Sequence, residues 1–495
     1  MTKTRKKQYT AARAYLIGIK GVGMTALAQH LASRGFRVSG SDTNEKFFTD
    51  AVLKRHHIPF TEEFSARNVP GDVRFVVASS AYTAKNPEVK EARKRGYKIF
   101  SYAHALGELF NEKHGIAVCG SHGKTTTSAL LGYVFQKAEK RPNVMTGSEV
   151  PQFRGNALMG SGEHFIAEAD EYQNKFRFFD PKTILLTNID YDHPDYFSDV
   201  AAYRRVFRNF IGRLPKSGLL VVCSDDAEAR KILPATRAKI ITYGLDEDYF
   251  HIRAHPVRSR TRTASATSNG VNKNVTNVDV HWIAREVKVK NGRWQFNAYR
   301  NNELFGSFFL RIPGRHNVLN ALGVIAASRA HGIKKDIIQR ALREFRGTRR
   351  RFEYKGIYHG ALLIDDYAHH PAEIKATLKA ARELYPKKRI IAVFHPHTYT
   401  RTKALLGDFA KSFSDADEVI VLDIYGSARE KQGGVSSKEL VKRASVWHKH
   451  IRHIATIPRA VLYFKKRLKK GDVLIAMGAG DVWKVHKGLV PHLSR

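Results

Sequence analysis

The stretch Gly115-Ile-Ala-Val-Cys119-Gly120-Ser-His-Gly123-Lys124-Thr125-Thr126-Thr127 joins an apolar strand to a helix through a glycine loop. Backbone amides of such a loop cradle phosphates, its lysine reaches the terminal phosphate, and the next hydroxyl ligates Mg²⁺. The spacing is the short G-x-x-G-K-T form, because Val118 stands where a longer phosphate loop has its first glycine. The stretch therefore predicts an α/β fold and a nucleoside triphosphate site.

Two acidic clusters follow this loop along the chain. They read Phe165-Ile-Ala-Glu168-Ala-Asp170-Glu171 and Leu186-Thr-Asn188-Ile-Asp190-Tyr-Asp192-His193-Pro194-Asp195. Each cluster comes directly after an apolar strand, and ligands gather at this end of the strands in an α/β sheet. Hard oxygen ligands beside a triphosphate indicate Mg²⁺. Two such clusters behind one phosphate loop favour a metal-dependent site over unrelated surface acids.

A second glycine loop lies closer to the N-terminus. Gly21-Val-Gly23-Met-Thr-Ala26 follows an apolar strand at 15–19, and Asp42 closes the next strand. Glycines in this position let backbone amides approach a pyrophosphate, and the acid can bind a ribose hydroxyl. Taken alone, the loop fits an NAD site, a UDP site or a plain structural turn.

Strands alternate with helical patterns along most of the chain, which predicts βαβ units and three α/β domains. We place the domains at residues 1–112, 113–347 and 348–495. In the middle domain, 278–283 and 294–298 alternate like antiparallel strands, and the basic stretch 251–276 predicts a mobile loop. In the third domain we expect strands at 361–364, 389–394, 418–422 and 472–477 and a helix at 371–384.

Composition narrows the class of protein. The 495 residues include two cysteines, each in or at the end of an apolar run, so a disulfide framework is not indicated and a cytoplasmic location is expected. The basic start before 14–19 mimics a signal peptide, but Lys20 interrupts the apolar run, and no stretch is long enough to cross a membrane.

The net charge of +38 is spread over the chain, which indicates a solvated surface. Neither zinc-finger spacing nor a stacked-aromatic motif supports specific nucleic-acid binding.

Six motifs, taken in order, are similar to those of the Mur ligase family. They lie at 120–127, 168–171, 188–195, 314–322, 350–353 and 365–371. This resemblance covers nearly the whole chain. It implies a Rossmann-like N-terminal domain for a UDP-sugar, a central P-loop ATPase domain with a mixed sheet, and a Rossmann-like C-terminal domain that closes over the site. It also favours UDP over NAD at the first glycine loop.

The activity implied by the resemblance is ATP-dependent ligation of an amino acid to a carboxylate through an acyl-phosphate, in cytoplasmic peptidoglycan precursor synthesis. The segment His395-Pro-His397-Thr-Tyr-Thr-Arg401-Thr402 and the motif at 365–371 resemble the branch that adds L-alanine to UDP-N-acetylmuramate. Rival hypotheses are a recycling ligase for a preformed peptide and an NAD-dependent oxidoreductase. A monomer and a homodimer both stay open.

The resemblance also assigns residues to roles. Lys124, Arg351 and His193 are the expected catalytic residues, and Thr125, Glu168 and His193 are the expected Mg²⁺ ligands. The expected ATP contacts are Gly120, Ser121, His122, Gly123, Lys124, Thr125, Thr126, His316, Asn320, Arg351 and Asp366. The expected UDP-sugar contacts are Gly21, Val22, Gly23, Asp42 and Ser80. The expected amino-acid contacts are Tyr367, His369, His397 and Arg401. Thr398 departs from relatives that carry arginine there.

Overall fold

The computed structural model describes residues 12–245, 278–426, 430 and 433–492. Within these ranges the strands form three separate sheets of five, ten and six strands. Helices cover the sheets, so the predicted α/β class is confirmed. The predicted mobile loop at 251–276 lies outside the described residues.

The first sheet is entirely parallel and has the order β3-β2-β1-β4-β5. Its strands are β1 (Arg13–Ile17), β2 (Arg37–Ser41), β3 (Phe60–Thr61), β4 (Val73–Ala78) and β5 (Ile99–Ser101). Its helices are α1 (Val22–Ser33), α2 (Phe48–Arg55), α3 (Pro87–Lys94) and α4 (Tyr102–Asn111), with a 3₁₀ turn at Ala66–Asn68. Helix α3 begins where it does because Asn86 caps its first amides and Pro87 occupies its first turn.

The central sheet is mixed, with the order β15-β14-β13-β12-β11-β10-β6-β9-β7-β8. Its strands are β6 (His114–Cys119), β7 (Asn143–Val150), β8 (Gly155–Leu158), β9 (His164–Glu168), β10 (Thr183–Leu186), β11 (Leu219–Cys223), β12 (Lys239–Gly244), β13 (Val278–Lys290), β14 (Arg293–Arg300) and β15 (Glu303–Leu310). In spatial order, the run β13-β12-β11-β10-β6-β9-β7 is parallel throughout. Strand β8 pairs antiparallel with β7, and the β13-β14-β15 meander is also antiparallel. The predicted antiparallel pair is therefore confirmed.

Helices cover both faces of this sheet, which is why β6 and β10 consist of nearly continuous apolar residues. The helices are α5 (Lys124–Lys137), α6 (Val200–Ile211), α7 (Ala227–Ile232), α8 (Arg315–Ala330) and α9 (Lys335–Glu344). Short 3₁₀ segments occupy Pro151–Phe153, Tyr172–Phe178 and Leu233–Ala235. Cys119 and Cys223 are buried free thiols, as predicted.

The third sheet has the order β16-β17-β21-β18-β19-β20, and only its edge strand β16 is antiparallel. Its strands are β16 (Glu353–Tyr358), β17 (Ala361–Asp366), β18 (Ile390–Phe394), β19 (Glu418–Val421), β20 (Ile451–His453) and β21 (Val473–Met477). Its helices are α10 (Pro371–Leu384), α11 (Tyr399–Ala404), α12 (Leu406–Ala410), α13 (Ser437–Ala444), α14 (Ile457–Arg467) and α15 (Lys484–Leu489). Both predicted ends of α10 are confirmed.

The three parts are joined in different ways. The first and central sheets share one continuous apolar cluster that includes Leu16, Leu27, Phe110 and Phe165. The apolar clusters of the third sheet are separate from it. Among the described residues, no helix is both long and apolar enough to span a membrane.

Candidate active site

The phosphate loop connects β6 to α5 at the carboxyl end of the central sheet. Gly120 and Gly123 have φ values of +130° and +80°, which side chains rarely tolerate. A Cβ on Gly120 would lie 2.1 Å from the Thr187 hydroxyl oxygen, so the loop also has no room there. Helix α5 then begins at Lys124 without a side-chain cap in the described part of the chain. A helix N-terminus in this geometry attracts phosphate.

Lys124 lies inside this loop. Its ammonium group donates to the Gly120 carbonyl, to the Ser121 carbonyl at 3.1 Å and to Glu171 Oε2 at 3.2 Å. Burial alone would lower the pKa of Lys124, but the carboxylates of Glu171 and Asp170 outweigh burial and raise this pKa above its ordinary value. Lys124 is therefore a fixed positive charge where a phosphate would be held.

The predicted Mg²⁺ ligands fall into two adjoining groups. Thr125 Oγ1 donates to Glu168 Oε1 at 3.0 Å, while Gly147 N donates to Glu168 Oε2 at 2.7 Å. His193 instead lies with Asp170 and Glu171, and the three offer ligand atoms within 4.8 Å of one another. Asp170 and Glu171 belong to the first acidic cluster, but the sequence did not predict them as ligands. The oxygen-rich donor set of both groups fits Mg²⁺.

A cavity of about 230 Å³ opens beside the phosphate loop. Its wall contains most of the predicted ATP contacts: His122, Gly123, Thr125, Thr126, His316, Asn320, Arg351 and Asp366. Asp366 accepts hydrogen bonds from Phe352 N and Ala368 N, both at 2.7 Å, and so fixes the turn that carries Arg351. Burial raises the pKa of Asp366 to about 6, although Arg351 opposes this rise. The structure thus brings together residues that lie up to 244 positions apart (366 − 122).

A larger cavity of about 710 Å³ lies on the other side of the loop. Lys124, Glu168, His193, Tyr367, His369 and His397 line it from the central and third sheets. Val22, Glu45, Phe47 and Phe48 line it from the first sheet, and of these only Val22 was predicted. Thr125, Arg351 and Glu373 belong to the walls of both cavities. These three residues mark where the two spaces meet.

Several residues in this region have a strained backbone. His193, Arg350, Phe352 and Thr398 have φ values of +58°, +57°, +48° and +69°. Such conformations persist only where the surroundings impose them, and they concentrate at functional sites. Thr398 is the most unusual, because a β-branched residue rarely adopts positive φ.

Arg401 is not in the wall of either cavity. Its guanidinium is buried and forms two hydrogen bonds to the Asp192 carboxylate, at 2.9 and 3.2 Å. Burial would raise the pKa of Asp192, but Arg401 and His193 hold that pKa well below its usual range. The pair joins α11 to the segment after β10. Its role as an amino-acid contact stays a prediction, and the geometry shows a connection between two domains.

Sequence reasoning missed Glu373, in the first turn of α10. Its carboxylate lies 3.3 Å from His122 Nδ1, 3.1 Å from His369 Nδ1 and 3.6 Å from Arg351 Nη1. Burial disfavours protonated His122, but hydrogen bonds to Asp190 and Glu373 outweigh burial and raise the pKa of His122 to about 9. His122 is thus an imidazolium between two carboxylates. An acid four positions after His369 on a predicted helix was the only available signal.

Side chains of the first domain surround most of the first glycine loop, and Asn156 of the central domain donates to the Val22 carbonyl at 2.6 Å. Asp42 Oδ2 accepts from Lys20 N at 2.7 Å, and Asp42 Oδ1 accepts from the Tyr82 hydroxyl at 3.0 Å. A Cβ on Gly23 would lie 2.5 Å from Tyr102 Cζ. Gly21, Gly23, Asp42 and Ser80 do not line the larger cavity, and Ser80 is exposed to solvent. Their roles at a UDP-sugar stay predictions.

Three family models match the chain, one for each of the three sheets. The description "Mur ligase family, catalytic domain" matches residues 13–114, "Mur ligase middle domain" matches 118–328, and "Mur ligase, glutamate ligase domain" matches 350–480. Together these family models cover most of the chain.

Two relatives that match nearly the whole chain have the same name. The chain is 38% identical over 478 residues to UDP-N-acetylmuramate--L-alanine ligase of Desulfitobacterium hafniense, covering 96% of this chain and 99% of that protein. It is 36% identical over 475 residues to the protein of the same name from Caldanaerobacter subterraneus, covering 96% of each chain. The crystal structure of UDP-N-acetylmuramate-alanine ligase from Thermotoga maritima matches with a TM-score of 0.76 and 25% identity, covering 97% of this chain and 98% of that one.

Proposed function

The chain belongs to the Mur ligase family, and we propose that it is an ATP-dependent ligase that joins L-alanine to the carboxylate of UDP-N-acetylmuramate. The reaction would be a cytoplasmic step of peptidoglycan precursor synthesis. The observation that carries the proposal is the common wall of the two cavities at Thr125, Arg351 and Glu373. A nucleotide on one side and a carboxylate on the other would meet there.

ATP is assigned to the smaller cavity. Asn320 and His316 lie in its wall on the side of α8, which suits the adenine end, and the phosphate loop supplies amides for the phosphates. The UDP-sugar is assigned to the larger cavity, where Val22, Phe47 and Phe48 reach in from the first sheet. Aromatic side chains there can pack against the sugar or the uracil ring.

The chemistry needs a carboxylate to be activated before an amine can attack it. An oxygen of the muramoyl carboxylate attacks the γ-phosphorus, ADP leaves, and an acyl-phosphate forms. The amine then attacks the acyl carbon, a tetrahedral intermediate forms, and inorganic phosphate leaves as the amide bond is completed. Catalysis of phosphoryl transfer depends on positioning and on positive charge near the equatorial oxygens. Lys124 supplies such charge in the loop, and Arg351 supplies it where the two cavities meet.

Mg²⁺ is the proposed metal. Thr125 and Glu168 would hold it next to the phosphates, and His193 with its acidic neighbours would complete the site. When bound, it would offset negative charge on the phosphates.

The third domain would close the site. An acyl-phosphate is hydrolysed if water enters, so water must be excluded during turnover. Two contacts, Arg401 with Asp192 and Glu373 with His122, connect the third domain to the central one and would hold the closed arrangement. Gly347, with φ +86°, precedes the arginine run and is the proposed hinge.

The test is phosphate release from ATP with UDP-N-acetylmuramate, scanned across amino acids and the preformed tripeptide. We expect release with L-alanine and little with the tripeptide, because the segment from His395 to Thr402 resembles the branch that adds L-alanine. Preference for the tripeptide would instead assign a recycling ligase. Absence of ATP-dependent release with every acceptor would refute the ligase itself.

A further inference from the structure

A second group of potential metal ligands lies apart from the oxygen-rich one. His122, Asp190 and His370 offer ligand atoms within 4.8 Å of one another. His122 belongs to the phosphate loop, Asp190 follows β10, and His370 directly precedes α10 in the third domain. We propose that these three residues form an interdomain site for a divalent transition metal such as Zn²⁺, distinct from the Mg²⁺ site.

The separations suit a tetrahedral ion. His122 Nε2 lies 2.9 Å from Asp190 Oδ2, and His370 Nδ1 lies 3.6 Å from the same oxygen. Bonds to Zn²⁺ of about 2.0–2.1 Å at tetrahedral angles put neighbouring ligand atoms about 3.3 Å apart. The observed distances lie on either side of that value, so small side-chain shifts would admit the ion, which would displace the proton that His122 Nε2 shares with Asp190.

The remaining ring nitrogens are oriented by hydrogen bonds. His370 Nε2 lies 3.3 Å from the Tyr191 carbonyl oxygen, which can only accept, so Nε2 carries the proton. Nδ1 of His370 then keeps its lone pair, which accepts only a weak hydrogen bond from Ala372 N at 3.4 Å. His122 Nδ1 lies 3.3 Å from Glu373 Oε1. A ligating histidine whose other nitrogen is held by a carbonyl or carboxylate is the usual arrangement at protein metal sites.

The donor set selects the kind of metal. Two imidazoles and one carboxylate suit zinc, cobalt or nickel, whereas Mg²⁺ prefers a set made mainly of oxygen ligands. The proposed Mg²⁺ ligands are mainly oxygen donors, with His193 as the single imidazole among Thr125, Glu168, Asp170 and Glu171. Millimolar Mg²⁺ would therefore fill the first group and leave the second to a transition metal.

The ligands come from two domains, which gives binding a mechanical consequence. A metal held by His122, Asp190 and His370 would keep the third domain against the phosphate loop. Because an enzyme of this design must open to release its products, the bound metal would inhibit turnover. This consequence rests on the proposed ligase activity, whereas binding itself does not.

The deciding experiment titrates the full-length protein with Co²⁺ in excess Mg²⁺ and follows the visible absorption of low-coordinate cobalt. The variants are His370→Asn, which can still cap α10, and Asp190→Asn. We expect at least about tenfold weaker binding in each, since even outer partners of metal ligands change affinity by about 10–100-fold. Thermal unfolding would verify that both variants fold. His450→Asn, an exposed histidine far from this group, is the matched control and should bind like wild type.

A cobalt spectrum that is absent from wild type, or that survives unchanged in both variants, would overturn the site. The second arm measures ligase turnover with added Zn²⁺. We expect inhibition of wild type that a zinc-selective chelator reverses, and a weaker fractional inhibition of His370→Asn. Equal fractional inhibition of the two proteins would overturn the locking mechanism. A wild type with no ligase activity would refute the proposed function, yet the cobalt arm would still report on the site.

Discussion

The protein has two glycine loops at corresponding places, one after β1 and one after β6, and their surroundings differ. Beside Gly23 the space is filled by the ring of Tyr102, whose Cζ lies 2.5 Å from where a Cβ on the glycine would be. Beside Gly123 the nearest atom is Asn320 Oδ1 at 2.7 Å, the tip of a side chain in a cavity wall. The first glycine is required by packing against Tyr102 within its domain, and the second lines the smaller cavity.

The lysine of each loop shows the same contrast. Lys20 is fully buried, and its ammonium group donates to the Thr43 carbonyl at 2.8 Å and to Glu62 at 3.2 Å. Lys124 retains some exposure and lines the larger cavity. The first loop takes most of its partners from its own domain and one from the central domain, where Asn156 donates to the Val22 carbonyl at 2.6 Å, while the phosphate loop reaches Glu373 of the third domain. A glycine pattern thus predicts a tight turn in both places, and the space and charge beside the phosphate loop favour a ligand there.

The largest effect should follow from Lys124→Ala. Loss of a cation that stabilises a transferring phosphoryl group costs on the order of 10³–10⁵-fold in turnover. We expect that loss in phosphate release, while equilibrium binding of the UDP-sugar stays close to wild type because Val22, Phe47 and Phe48, the first-domain wall of the larger cavity, are untouched. Lys137→Ala, at the far end of the same helix, is the control and should keep its turnover. Near-normal ligation by Lys124→Ala would remove the distinction between the two loops.

The next effect tests whether the phosphate loop depends on the third domain. Arg401→Ala leaves the buried Asp192 carboxylate without its partner, and breaking a buried pair costs about 3 kcal/mol or more. We expect kcat/KM for ATP to fall about 100-fold, with UDP-sugar affinity little changed. Arg459→Ala, an exposed arginine of the same domain, provides the comparison. Equal losses of ATP and UDP-sugar binding would indicate general unfolding instead of impaired closure.

The burial of each strand explains how far the sequence could predict the fold. Strands such as β6 and β10 were found because burial on both faces makes them continuous apolar runs. Strand β16 was missed because it is a half-exposed edge strand whose residues do not form such a run. Predicted strand ends differ from the observed ones by a residue or two in most cases. Both ends of α10 were predicted, and its start is marked by the capping residue His370 and by Pro371 in the first turn.

The site was predicted less completely than the fold. The phosphate loop and its acidic neighbours are local, so their motifs reveal them. Glu373 looks like an ordinary acid in the first turn of a helix, where acids are common. Its proximity to His122 depends on the approach of two domains across 251 positions, which no local pattern encodes. Arg401 and Asp192 were each noticed in the sequence, but their pairing across 209 positions was not predicted.

A smaller effect should come from Gly23→Ala. The added methyl would overlap two ring carbons and the hydroxyl oxygen of Tyr102 within 2.9 Å, and overpacking of this kind costs about 2 kcal/mol. We expect a lower melting temperature, partly restored in the double variant Gly23→Ala/Tyr102→Leu. Gly71→Ala, where nothing lies within 4 Å, should be neutral. If Gly23→Ala instead kept its stability and lost only UDP-sugar affinity, that loop would be a ligand site like the phosphate loop.

The smallest effect concerns the charge that links the phosphate loop to the third domain. The pKa of His122 is raised to about 9, above its ordinary value of 6.5, because Asp190 and Glu373 outweigh burial. A raised folded-state pKa gives stability that is fully present below about pH 6.5 and is lost as pH rises through 9. Between pH 7 and 9.5 we expect wild type to lose on the order of 1 kcal/mol more of its free energy of unfolding than His122→Gln does. Urea titrations across this range measure the difference. Parallel pH profiles for the two proteins would mean that His122 is neutral, and then the phosphate loop would be held to Glu373 by no more than an ordinary hydrogen bond.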